Sequence, residues 1–487
     1  MLEEWWLSWT CDGGAPDGVV EPALEGWSDL AAREKALGFR TKQPILIAPD
    51  GRLDPRLVRF CKRSPFSVKS QGTQETYAPI YRLFFTFLWN RGVDWDEATA
   101  DDLADWEEWR RRGEGNLKRI QGSTWGKELA ALKLLYDWAG GKKYVDDNPV
   151  VTYTVRGADG IEFEVAELAP RDVRSTNVKW LTARAFRLWR NVGLGGMLPN
   201  GLEDETWRGR LAGRDMAAAD FLYSSGVRRR EGGTLLTCEL PQVGARNYYS
   251  GKVAKSVAKR AGYHFYVSHS ALQSVNGYRM ADRSLAVRRA QQRGLYDRVP
   301  GRRVIDRITR RGQVHWTEAD GRRGSEALDS LTADDRTLLY VNTDDGLEPA
   351  ALWLTESGFP MNYRDWTKIF GRASDRCESL GVGVAATPHM LRHSMALRTL
   401  LSLHNALDKR LGLTPAERLN YERTYGQIWQ MVKDMLGHQN EQMTRDIYLE
   451  PLRGLQLDSL LNDDDNPVNE EKLAELAART GLILDAA

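Results

Sequence analysis

Apolar residues recur with a helical period across residues 63–150. Tyr77, Tyr81, Phe84, Phe85 and Leu88 fall three and four apart, one face of a helix, and Gly92 closes it. Thr99-Ala100-Asp101-Asp102 has the form of a capping segment ahead of Leu103, Trp106 and Trp109. Thr124 is a candidate cap for the next helix, with Leu129, Leu132, Leu135 and Trp138 along one side. Gly140-Gly141 ends that helix, and Asn148-Pro149 closes a small helical bundle.

The flanking stretches lack this regularity. Residues 1–62 are punctuated by Gly and Pro and form an N-terminal extension, with one short strand or extended piece ending in a turn at Pro44–Gly51. Residues 151–178 mix charges, Gly and Pro with β-prone pieces such as Ile161–Val165, and read as a linker. Helical spacing resumes at 179, with Thr182 as a cap. Asp215 is the expected cap of a second helix, through Phe221 and Leu222 to Gly226. Strands are expected at Gly233–Leu240, Asn247–Val253 and Tyr263–Val267. Residues 295–345, including Arg303–Ile308, have the look of an insertion with its own strands. The pattern predicts a mainly α protein with a small antiparallel β-sheet. A helical domain would precede a mixed α/β domain at 179–461, followed by a tail at 462–487. Leu452, Leu455, Leu457, Leu460 and Leu461 form an apolar run near the end, and Glu470–Thr480 reads as a last helix.

Composition narrows the class. A chain of 487 residues exceeds one compact core, so two or three domains are expected. Hydrophobic content of 42% and charged content of 28% are ordinary for a soluble globular protein. No long apolar run argues for a membrane span, and the N-terminus has no basic region ahead of an apolar stretch. Cys11, Cys61, Cys238 and Cys377 are far apart, which argues against a disulfide framework or a zinc site and fits a reducing cytoplasm. The net charge of +1 conceals a block from Pro241 to Arg311 with sixteen Lys and Arg against three Asp. Such a block suits a surface that follows phosphates.

The candidate chemistry lies later. In Thr387-Pro388-His389-Met390-Leu391-Arg392-His393, Thr387 is a helix cap and Pro388 the first helical residue. His389 then sits in the first turn, where backbone N–H groups favour an anion, with Arg392 on the same face. His393 is expected to point elsewhere and to be structural, or to support the groups that would touch the phosphate. Leu436-Gly437-His438 reads as the start of a further helix, with Tyr448 ten residues after His438. Two arginines and two histidines suit a phosphodiester, because planar guanidinium forks bond paired oxygens. A tyrosine hydroxyl, with a pKa of about 10, can attack one if its proton is accepted.

Gly226-x-Arg228-x-x-Glu231, then H-x-x-R at His389–Arg392, L-G-H at Leu436–His438, and finally Tyr448 follow one another along the chain. In order and spacing the set resembles the tyrosine recombinase (phage integrase) family, over roughly residues 63–460. Tyr448 stands one residue further from the histidine than is usual there; Tyr421 and Tyr425 precede L-G-H and fit poorly. The resemblance implies a core-binding domain at 63–150 and a catalytic domain at 179–461. It implies Tyr448 as nucleophile, with Arg228, His389, Arg392 and His438 stabilising the transition state. A lysine from a β-hairpin loop protonates the leaving oxygen; Lys252, Lys255 and Lys259 are candidates, with Lys259 preferred. No cofactor or metal is implied. Implied partners are double-stranded DNA with attachment sites, three further copies of the chain in a tetramer, and accessory bending or directionality factors. The tail would dock within that assembly, and the enzyme would work in the cytoplasm on a mobile element's DNA. A type IB topoisomerase-like enzyme and a catalytically silent DNA-binding protein of the same fold are the alternatives.

Overall fold

The computed structural model describes residues 3–10, 33, 36–156, 160, 162–172, 179–259, 261–405, 428–438, 444–445 and 483–484. The chain divides into two compact units, Met1–Ser175 and Thr176–Ala487.

In the first unit, β1 (Trp6–Trp9) pairs antiparallel with β2 (Pro44–Ile47). Four helices follow: α1 (Pro55–Arg63), α2 (Gln71–Trp89), α3 (Ala100–Arg111) and α4 (Gly122–Gly141). Thr99 and Asp102 make the reciprocal capping box expected of them, at 3.2 and 3.0 Å. Thr124 does not cap α4. The helix starts two residues earlier, and the amides of Thr124 and Trp125 already bond to Gln121 O, so Thr124 lies inside the first turn. The core is aromatic: Phe60, Phe66, Tyr81, Phe84, Trp106 and Trp125 are all fully buried. Trp5 and Leu46, from the N-terminal stretch, belong to the same core. A hairpin of β3 (Thr152–Arg156) and β4 (Glu162–Ala166) occupies the stretch read as linker.

The second unit opens with β5 (Trp180–Leu181) and α5 (Ala183–Trp189), capped by Thr182 at 3.1 Å. Next is α6 (Ala212–Ser225). Asp215 lies within its first turn rather than at its cap, because its carboxylate is taken by the guanidinium of Arg214. Gly226, at φ +64°, ends α6 in the left-handed conformation that glycine adopts without strain. A short α7 (Arg229–Gly233) follows. Gly233–Leu240 is not a strand: the Glu239 carboxylate accepts the Leu236 N–H at 3.0 Å and folds Thr237–Glu239 into a 3₁₀ turn. The antiparallel hairpin of β6 (Tyr248–Val253) and β7 (Tyr263–Ser268) matches expectation.

Beyond α8 (His269–Tyr278) and α9 (Ser284–Gln292) lies a five-stranded sheet. Its strands are β8 (Arg303–Ile308), β9 (Gln313–Glu318), β10 (Arg323–Ala327), β11 (Leu339–Thr343) and β12 (Gly346–Pro349), in the order β10-β9-β8-β11-β12. A short α10 (Ala333–Thr337) joins β10 to β11. This sheet is mostly antiparallel, as expected, but β8 runs parallel to β11. Val314, Trp316, Leu331 and Leu339 pack it onto Leu236. Then come α11 (Asp365–Ser379), α12 (Pro388–Asn405), α13 (Ile428–Leu436) and β13 (Ile483–Leu484), the last parallel to β5. The protein is thus mainly α with small sheets. No described helix is long and apolar enough to cross a membrane. Tyr421, Tyr425, Tyr448, the leucine run and Glu470–Thr480 lie outside the described residues.

Candidate active site

Thr387 accepts the Met390 N–H at 3.2 Å and so starts α12, with Pro388 as its first residue. One turn on, Arg392 is only 2% exposed. Its Nη1 donates to Gly226 O at 2.6 Å and reaches Tyr263 Oη at 3.5 Å, and its Nη2 donates to Leu436 O. Gly226 and Leu436 stand at the C-terminal ends of α6 and α13, where carbonyls lack helical partners and carry the negative end of the dipole. A buried cation is thereby satisfied by neutral groups, and these contacts leave its charge uncancelled.

Arg228 is reached through Glu231. That carboxylate, 2% exposed, accepts the Arg228 N–H at 2.7 Å and its Nη1 at 3.0 Å. Tyr263 Oη donates to the same carboxylate at 2.6 Å. Burial, then the Glu231 charge, pushes the Tyr263 hydroxyl well above its ordinary pKa, so it stays a donor. Tyr263 thus links the two arginines, a role no sequence signal disclosed; only its place at the head of a predicted strand was legible.

Leu436-Gly437-His438 ends α13; residues 439–443, where the expected next helix would begin, lie outside the described residues. The Gly437 and His438 amides bond back to Asp434 O and Lys433 O at 3.1 and 3.0 Å, closing α13 around a left-handed glycine at φ +58°. A side chain at Gly437 would also meet the Tyr263 ring, 2.6 Å from Cδ1. His438, half-buried, shares a hydrogen bond with the buried Thr444 at 3.0 Å through Nδ1.

His393 does not point away from His389. Four residues apart on one helix, the rings meet edge to face, with centroids 4.3 Å apart. Burial, then the charges of His389, Arg392 and His438, lowers His393 to about 3, so it is neutral at ordinary pH. His389 is open to solvent by area, but close packing on its inner side and then Arg392, Arg228 and Lys259 lower its pKa as well. The three cations that act on His389 are three of the residues singled out from the sequence.

Of the lysines, Lys252 is paired with Asp329, and Lys255 is exposed. Lys259, also exposed, is the one whose charge acts on His389. Hydrogen bonds and ring contacts tie together Arg228, Arg392, His389 and the turn that carries His438, while Lys259 stands on the exposed hairpin loop; Tyr448 lies outside the described residues. A groove of about 1030 Å³ runs past Tyr263, Gly437 and His438 between the β6–β7 hairpin, α12 and α13. Among the described residues no cluster of His, Cys, Asp or Glu suits a metal ion. The arrangement offers guanidinium, ammonium and imidazole N–H groups to an anion, with a neutral histidine able to accept a proton.

Residues 67–143 match the family model of the phage integrase N-terminal SAM-like domain. The resemblance to the phage integrase family thus extends to the helical unit, apart from all six candidate residues. No curated protein matches the chain. Among solved structures, the chain is similar to XerH site-specific recombinase bound to palindromic difH substrate, at 10% identity and a TM-score of 0.43, over 80% of this chain and 78% of that one. It is similar to the Tn1549 transposon integrase in complex with circular intermediate DNA, at 14% identity and 0.42, over 82% and 97%. It is also similar to a lambda integrase dimer bound to a COC′ core site, at 10% and 0.38, over 78% and 89%.

Proposed function

We propose that the protein is a site-specific tyrosine recombinase that cuts and rejoins double-stranded DNA to integrate or excise a mobile element. The observation that supports this most is the linkage of Arg228 and Arg392 through Glu231 and Tyr263, with His389 beside both. Two fixed guanidiniums suit the charge that grows on non-bridging phosphate oxygens during attack. His438, at the end of α13, adds a donor, and the basic stretch Pro241–Arg311 would follow the flanking backbone.

The reaction follows from these groups. Tyr448 Oη forms a bond to phosphorus as the bond from phosphorus to the 5′ oxygen breaks. The phenolic proton passes to neutral His389, and the Lys259 ammonium gives a proton to the departing oxygen. The products are a 3′-phosphotyrosyl enzyme and a free 5′ hydroxyl. Attack by the 5′ hydroxyl of a partner duplex reverses the step and exchanges strands. The phosphotyrosyl bond retains the ester's energy, so rejoining needs no nucleoside triphosphate. Pairing of two duplexes calls for a tetramer, with accessory factors to set direction.

Covalent trapping tests this reading. Wild type and Tyr448→Phe are incubated with nicked duplexes tiled across the DNA beside the gene and run on denaturing gels. A protease-sensitive shifted band from wild type alone is expected. A band that persists in the variant moves the nucleophile elsewhere. Tight binding with no adduct on any tile makes the protein a silent DNA binder.

A further inference from the structure

The five-stranded sheet lies far from the candidate residues in sequence, yet its β10–α10 connection holds the loop that carries Lys259. Ser256, in that loop, donates its N–H to Asp329 O at 2.9 Å and its hydroxyl to Leu331 O at 2.6 Å. Its own carbonyl accepts Arg230 Nη2 at 3.2 Å, and Arg230 lies in the same short helix as Glu231. All three polar groups of Ser256 are therefore used to tie the loop down.

The anchor is itself rigid. Arg336, 2% exposed, donates to Leu328 O and Leu331 O on either side of Asp329, and forms a buried fork with Glu239. On the near side, Val253, Ala254, Val257 and Ala258 are buried in the core of the unit. Gly262 closes the loop's base, where a side chain would come within 2.8 Å of Val253 O. The Lys252–Asp329 pair is exposed on both sides and contributes little by itself. The loop backbone at Ser256, three residues before Lys259, is thus held by its own N–H and hydroxyl on carbonyls of the β10–α10 connection.

We infer that the sheet between α9 and α11 is a positioning element, and that Ser256 on the Asp329 and Leu331 carbonyls fixes the loop that presents Lys259 for proton donation. The inference rests on the proposed recombinase reading and on Lys259 as the donor in it. A surface loop with exposed lysines has many conformations of similar energy. Fixing it concentrates the ammonium near the departing oxygen before substrate arrives.

The experiment compares wild type, Ser256→Ala, Ser256→Thr, Lys259→Ala and Arg228→Ala in the adduct assay. Two duplexes are used, one with the natural 5′ bridging oxygen and one with sulfur in its place. A thiol is acidic, with a pKa of about 8.5, so sulfur departs without a proton. Ser256→Ala is expected to slow adduct formation about three- to tenfold on oxygen, the effect of losing one hydrogen bond. It should match wild type on sulfur, as should Lys259→Ala, while Arg228→Ala stays slow on both. Ser256→Thr, which keeps the hydroxyl, should restore the oxygen rate. Hydrogen exchange at the amides of Lys255–Lys259 should quicken in Ser256→Ala only. Equal slowing on both substrates, or no slowing on either, overturns the positioning role. If wild type forms no adduct with either duplex, the recombinase reading itself falls, and the inference with it.

Discussion

Two buried arginines, one in each unit, show how the same side chain is made to serve opposite ends. Arg110 in the helical unit is 8% exposed and forks onto the Glu128 carboxylate, with Nε at 3.0 and 3.1 Å from its oxygens. Arg392 in the second unit is 2% exposed and is held by two carbonyls and a tyrosine. The first charge is cancelled in place, so that pair contributes to packing and register and offers nothing to a ligand. The second keeps its charge, since among the described residues its hydrogen bonds go to carbonyls and a hydroxyl. An uncancelled buried cation beside an open histidine is disposed to take an anion.

Truncation should separate the two, and the largest stability effect belongs to the structural one. Arg110→Ala leaves Glu128 buried without its partner, a loss of about 3–5 kcal/mol in urea unfolding. Replacing both with apolar residues, as in Arg110→Met with Glu128→Leu, should recover most of that loss. A double variant as unstable as the single one would mean the pair does more than neutralise itself. Arg392→Ala should cost less, about 2–4 kcal/mol, for two buried carbonyls left without donors. It should also abolish the phosphotyrosyl adduct. Sulfate should raise the melting temperature of wild type and leave Arg392→Ala unmoved; equal shifts in both would place the anion elsewhere.

The contrast also explains what could be read from the sequence. Signals that act within a few residues were legible: the Thr99 capping box, the Thr182 cap, Thr387-Pro388 and the Gly226 helix end all form as expected. Thr124 and Asp215 have the same local signature but were displaced, one by an earlier helix start and the other by Arg214. The residue types of the proposed site follow from what phosphate chemistry requires. What fixes them was not legible: Leu436 O lies 44 positions from Arg392, and Tyr263 lies 32 from Glu231. Leu436-Gly437-His438 also carries a helix-end signal, glycine after an apolar helical face, and α13 does end there.

His393 extends the comparison to pH. Its folded pKa of about 3 lies below the ordinary value of about 6.5, so the unfolded chain takes up the proton first as pH falls. The stability it contributes is complete above pH 6.5 and declines below it, by up to about 1.4 kcal/mol per unit, until the folded state titrates near 3. His393→Asn should flatten the loss of stability between pH 6 and 4 in urea titrations. An unchanged slope would assign acid sensitivity to other groups.

The smallest effect should come from Tyr263→Phe, which removes only the atom that links the arginines. Glu231 keeps the Arg228 amide, and Arg392 keeps Gly226 O, so no buried group is left without a partner. The stability loss should therefore be about 1 kcal/mol, that of one hydrogen bond. The ring still packs on Gly437, so α13 should stay in place. Adduct formation should nevertheless fall about tenfold, because Arg392 loses its fixed relation to Glu231 and Arg228. Combining Tyr263→Phe with Glu231→Gln decides between linkage and simple packing. If the hydroxyl acts through Glu231, the two substitutions together should slow cleavage less than the product of their separate effects. Independent, multiplying effects would show that Arg228 and Arg392 are held separately, each by its own contacts.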